Sequence, residues 1–175
     1  MPERFVKSLF IFLLVLIFTP DTSAQTGCGT TETSGLLNLY PGMSPEQTQA
    51  VVGKALKIKI KKKGERTFFQ NFIENSAPVS LHGVRALYLR FFDLKLYQIE
   101  IFYEKRSDWA TLESFTAALS AQIGISPALW NYEKVKSVID CGEFTIVVDN
   151  LLNPHVEITD EIVRKQVELE RQKKK

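Results

Sequence analysis

Cysteine and histidine are scarce in this chain, with two of each among 175 residues. Two cysteines exclude a disulfide-dense miniprotein. His82 and His155 stand in no spacing that builds a metal site with cysteine or carboxylates, so neither a metal nor another cofactor is expected. The chain has no Gly-Xaa-Ser-Xaa-Gly elbow to expose a nucleophile, no glycine-rich loop to cradle phosphate, and no paired-carboxylate motif on a recognisable element. Ser80-Leu81-His82 sets a hydroxyl near an imidazole in sequence, but adjacency does not create the hydrogen bond between base and nucleophile that hydrolysis needs. These absences argue against an enzyme. Long apolar runs are also missing, with one exception at the N-terminus. Elsewhere nothing approaches the roughly 20 residues that a membrane-spanning helix requires.

What is present has the balance of an ordinary globular domain, 45% hydrophobic and 24% charged. The exception is the apolar run Leu9 to Phe18, preceded by Arg4 and Lys7 and followed by Pro20 and Asp21. Positive charge, an apolar core and small residues at Thr22 and Ala24 make residues 1–24 a secretory signal with cleavage near Ala24. The expected location is periplasmic or secreted. Lipid attachment at Cys28 is the lesser reading, because Gln25 stands where such a site needs an apolar residue. Export changes how the cysteines are read. Outside the cytosol Cys28 and Cys141 are expected to persist as a disulfide that pins the start of the mature chain to the fold.

Residues 25–36 read as an extended leader, residues 37–160 as a single domain, and residues 161–175 as a basic tail, helical or disordered. Leu36 to Tyr40 suggests a short strand. Ser44-Pro45-Glu46-Gln47 is a capping box with proline at the first helical position, and Gly53 suits the stop. Leu56 to Lys61 alternates perfectly and is expected to be a half-buried strand with a cationic outer face. Glu65 to Leu81 looks irregular, with Phe68, Phe69 and Phe72 packed onto the core. Val84 to Phe92 and Leu94 to Tyr103 read as an antiparallel hairpin turning at Asp93, in which Leu87, Leu89 and Phe91 meet Ile99 and Ile101. Leu94 stands where glycine would be easiest, so a slightly longer turn through Lys95 is expected. A second helix carries Leu112, Phe115, Leu119 and Ile123, capped by Thr111 and ended by Gly124. Three short strands follow, Lys134 to Asp140, Glu143 to Asp149 and His155 to Thr159. The fold class is α+β: short helices on an antiparallel sheet in the order helix, strand, hairpin, helix, strands, with two halves of similar pattern and one sheet face wetter than the other.

The basic residues are clustered. Residues 54–66 hold seven Lys or Arg against one Glu, and residues 161–175 hold six against three, within a chain whose net charge is only +2. Lys57, Lys59, Lys61, Lys62 and Lys63 are therefore candidates for binding an anionic partner such as an envelope surface or an acidic protein. Protection of an exposed edge strand explains the same lysines without any partner. Export argues against nucleic acid, as does the lack of stacking aromatics beside the cations.

The string Tyr40-Pro41-Gly42-Met43-Ser44-Pro45-Glu46-Gln47, followed by Val51, Val52 and Gly53, resembles the Gly-Met-Ser/Thr helix opening of the outer-membrane assembly lipoprotein BamE (SmpA/OmlA) family. The hairpin with its acidic turn at Asp93 is similar to that family's strand pairing. Related helix-plus-sheet modules occur, sometimes in tandem, in β-lactamase-inhibitor-type proteins. The resemblance implies a small envelope binding or scaffolding module without catalytic residues. Two other readings stay open: a small exported hydrolase with a loop-borne site, and an electrostatic binder of anionic envelope surfaces.

Overall fold

The computed structural model describes residue 28 and residues 36–53, 58–60, 62–72 and 81–174. The signal, the cleavage position, most of the leader, Lys57 and Lys61 lie outside the described residues. The first helix, α1 (Pro45–Val52), starts where the sequence says it should. The Ser44 hydroxyl accepts from the Gln47 amide at 3.2 Å, and Gln47 Oε1 accepts from the Ser44 amide at 2.7 Å. These reciprocal bonds satisfy two amide donors that a helix start leaves open. Thr111 and Ser114 build the same box for α2 (Leu112–Ile123), which ends on Gly124 in the left-handed region at φ 70°.

Between and after the helices run seven strands: β1 (Arg66–Asn71), β2 (Val84–Phe92), β3 (Lys95–Tyr103), β4 (Asn131–Tyr132), β5 (Lys136–Asp140), β6 (Phe144–Asp149) and β7 (His155–Asp160). They form one antiparallel sheet in the order β1-β2-β3-β7-β6-β5-β4. Each half is a helix followed by three strands, α1-β1-β2-β3 and α2-β5-β6-β7, apart from the short β4 that precedes β5. The third strands, β3 and β7, meet at the centre, where Ile99 faces Ile158 and Ile101 faces Val156. The fold is therefore α+β with mixed helices and strands, as the sequence pattern indicates.

Alternation along the strands sorts the two faces. Leu87, Leu89, Ile99, Ile101, Ile146, Val148, Val156 and Ile158 point inward and are fully buried with Phe115 and Leu119 of α2 and with Met43 and Val52 at α1. The hairpin register is the expected one, Leu87 opposite Ile101 and Leu89 opposite Ile99. The third helix, α3 (Glu161–Lys173), lies against the opposite face. Asp160 caps it by accepting from the Val163 amide at 2.9 Å, and Val167 is buried against Phe92 and Tyr97. The basic tail is thus helical to Lys173, and it covers one end of the face that the sequence leaves wet.

Several expectations are corrected. Residues 58–60 form no strand: the Ile58 amide donates to Gln49 Oε1 at 2.7 Å instead of to a neighbouring strand. Alternation sorts side chains between core and water whether or not the backbone finds a ladder partner. The strand lies further on, in the segment that looks irregular, because an edge strand buries too little to show a clean period. Phe68 pairs with Leu89 and Phe69 with Tyr88. Leu36 to Tyr40 is a tight turn with Leu37 and Asn38 at φ 59° and 61°, closed by a bridge between Leu36 and Leu39. The β2–β3 turn is the short two-residue one after all. Asp93 and Leu94 sit at φ 46° and 67° between the paired Phe92 and Lys95, because register across the long hairpin outweighs the local cost of a left-handed leucine. The strand expected from Lys134 begins at Lys136 and is preceded by the unforeseen β4.

Candidate functional site

Away from α3, no described helix or strand covers the second face of the sheet. Side chains pointing there come from Phe69 on β1, Tyr88 on β2, Phe102 on β3 and His155 on β7, so successive strands each contribute one ring. The rings form a continuous strip. Phe69 and Tyr88 lie 4.2 Å apart by centroid, Tyr88 meets Phe102 edge-on at 5.9 Å, and Phe102 stacks on His155 at 4.2 Å. Phe69 keeps 49% of its surface exposed although it is a large apolar residue on an edge strand.

Ala86 opens a hollow in this strip. It faces Asn71 on one side and Phe102 on the other, and its single methyl leaves the space that a longer side chain would fill. The resulting groove, of about 250 Å³, is lined by Phe69, Asn71, Arg85, Ala86, Tyr88, Phe102 and Asn153. Asn153 comes from the β6–β7 loop, beside the strongly exposed Leu151 and Leu152.

The polar groups on this face divide into two sets. Beside the strip each of the charged side chains has a partner: Arg90 pairs with Glu100 at 3.2 Å, Gln98 and Thr159 donate to Glu157 at 2.6 and 2.8 Å, and His155 Nδ1 meets Asp149 at 2.9 Å, while Arg90 Nε and His155 Nε2 are buried without one. Burial, and then the neighbouring Glu157, push the Glu100 carboxyl above its ordinary value, against the pull of Arg90. Inside the groove the pattern reverses. The Asn71 and Asn153 amides and the Arg85 guanidinium bond to no other described side chain. A row of ion-paired side chains beside a hollow whose exposed Asn71 and Arg85 and half-buried Asn153 bond to no described side chain marks where a ligand finds partners.

The residues singled out by sequence fall elsewhere. Cys28 and Cys141 are joined in a disulfide with Cα atoms 5.7 Å apart and a sequence separation of 113. Lys59, Lys62 and Lys63 are exposed and form no ion pair with a described residue. The Gly64 amide donates to Asp93 Oδ1 at 2.8 Å, which sets Lys62 and Lys63 beside the β2–β3 turn, at the far end of β2 from Arg85. None of Lys59, Lys62 and Lys63 lines the groove. His82 is exposed in a turn, and His155 Nε2 is buried with no hydroxyl bonded to it. Among the described residues no group of three or more His, Cys, Asp or Glu could hold a metal, and no helix is long and apolar enough to cross a membrane.

No family model, curated protein or solved structure matches the chain. The strip was not foreseen, although its signal is in the sequence: Tyr88 and Phe102 are aromatic at the alternate positions, where a solvated strand face is normally polar.

Proposed function

We propose that this protein is an exported, non-catalytic binding module of the bacterial cell envelope, and that its ligand site is the groove around Ala86. The unpaired Asn71, Arg85 and Asn153 side chains beside the exposed Phe69 and the half-buried Tyr88 and Phe102 carry this reading. An exposed ring on a sheet edge forgoes burial, and polar groups left without protein partners are available to a ligand. The signal pattern of residues 1–24 supports export. The helix opening that resembles the BamE family, leading into an antiparallel sheet, supports an envelope module. Two halves sharing one sheet fit the tandem arrangement of inhibitor-type binding modules.

The test is co-sedimentation of the purified protein with washed cell-envelope fragments. The wild type is expected to sediment with them, and Tyr88→Ala to remain in the supernatant while keeping its thermal midpoint. Equal sedimentation of both would remove the groove from the reading.

The lysines support a second role, attraction to anionic surfaces, since Lys59, Lys62 and Lys63 are exposed and without a described counterion. Liposomes rich in phosphatidylglycerol test it. Binding should weaken steeply with salt and disappear when Lys57, Lys59, Lys61, Lys62 and Lys63 become Gln. Unchanged binding in that variant would sink the role.

A further inference from the structure

We infer that the groove around Ala86 takes a saccharide ring carrying a carboxylate, one unit of an acidic glycan chain. This rests on the groove being a ligand site and adds the chemical class of its occupant. The groove's three kinds of lining each demand something of a ligand. Phe69, Tyr88 and Phe102 offer ring faces and edges, which suit a flat partner with an apolar surface. A pyranose presents such a surface through its axial C–H groups.

Asn71 and Asn153 stand at the rim with amides that both donate and accept. Vicinal hydroxyls, which also donate and accept, satisfy them. A proline-rich peptide would stack as well, but it offers the two amides only carbonyl acceptors and brings no planar anion to Arg85. Arg85 has five donors and no acceptor, and among the described residues no carboxylate pairs with it. It selects an anion with two oxygens in one plane, which it can grip with parallel hydrogen bonds.

The surroundings limit how much negative charge the ligand can carry. Glu100 and Glu157 sit in the next row of the same face, and Asp149 lies beyond His155. A phosphate-rich polymer would meet those carboxylates with only one unpaired guanidinium in the groove to hold it. A single carboxylate on an otherwise neutral ring matches Arg85 without that repulsion. Size agrees: about 250 Å³ lies just below the roughly 300–1,000 Å³ usual for drug-sized ligands, so one ring enters at a time and the chain continues over the exposed edge at Phe69.

Isothermal titration of the disulfide-bonded protein with tetragalacturonate, maltotetraose and a proline-rich decapeptide tests the assignment at physiological ionic strength. Tetragalacturonate should bind at least about tenfold tighter than neutral maltotetraose. Arg85→Gln should erase that preference and leave the weak neutral binding, with Arg85→Lys in between. Tyr88→Ala should remove both. Equal affinity for the acidic and neutral sugars would overturn the assignment. So would acidic binding that survives Arg85→Gln and vanishes on replacing the lysines at 59, 62 and 63. Binding of the peptide but of neither sugar, lost in Tyr88→Ala, would also overturn it while leaving the groove as a ligand site. Silence with all three probes, beside a wild type that still sediments with envelope fragments through Tyr88, would reject the sugar class and spare the broader reading.

Discussion

Leu94 occupies the left-handed region at φ 67°, where a side chain crowds the following carbonyl. Glycine removes that crowding, and aspartate followed by glycine is the preferred two-residue hairpin turn. Leu94→Gly is therefore expected to stabilise the protein by about 1 kcal/mol, less whatever contact the half-buried leucine makes. Urea midpoints for the two proteins check this, and a lower midpoint for Leu94→Gly contradicts it. Glu100 gives a pH signature. Its folded-state value is raised above 4.5 by burial and by Glu157, so the folded protein holds a proton that the unfolded chain has released. That contribution is present below the unfolded value and is lost as pH rises through the folded one. Removing it with Glu100→Gln should make the variant progressively more stable relative to wild type as pH rises from about 4 to 7. A difference that stays flat, or shrinks, would show that Glu100 titrates normally. Glu65 acts in the opposite sense, because its bond to Arg171 holds its carboxyl low, so its contribution is lost on acidification.

The elements differ in how far they could be read in advance. The helices α1 and α2 announce themselves through local caps, the Ser44–Gln47 box and Thr111, and the structure keeps both, with Ser114 completing a box at Thr111. The β2–β3 hairpin is equally local, and its register follows from matching apolar faces. Leu56 to Lys61 shows the limit. Among its described residues Ile58 is buried and Lys59 exposed, as the alternation indicates, whereas strand formation depends on a partner, and β2 takes Arg66–Asn71 as its neighbour. The third helix was ambiguous because its apolar stripe is thin and only Val167 is buried. With Val167 as its one buried side chain, beside the half-buried Val163, its apolar docking is sensitive to truncation. Val167→Ala removes two methyl-sized groups from the contact with Phe92 and Tyr97 and should cost about 1–1.5 kcal/mol. Hydrogen exchange in residues 161–173 should quicken while α2 is unaffected. The exposed Arg171–Glu65 pair adds little, about 0–1 kcal/mol, so breaking it with Arg171→Gln should barely register.

At the scale of the molecule, two long-range features organise the chain. The Cys28–Cys141 bond ties the first described residue to the β5–β6 turn across 113 residues of sequence. Closing so long a loop restricts the unfolded chain by about 4–5 kcal/mol in the chain-entropy view, and replacing both cysteines by serine should lower the urea midpoint accordingly. An unchanged midpoint would mean that the bond adds nothing. The pairing was legible because the chain has only two cysteines and its N-terminal segment reads as a secretory signal, under which they are expected to pair. The groove was not, because its walls come from β1, β2, β3 and the loop before β7, and no local pattern states which strands will be neighbours. Only the aromatic residues on the wet face hinted at it, and they do so one strand at a time. The open face with its unpaired Asn71, Arg85 and Asn153 is the centre of the functional reading, and amide hydrogen exchange with and without solubilised envelope fraction tests it most directly. Exchange should slow at β1 and in the 150–154 loop, which flank the groove, and the slowing should vanish in Ala86→Leu, whose side chain fills the hollow. Slowing confined to residues 58–64, or slowing that persists in Ala86→Leu, would contradict it.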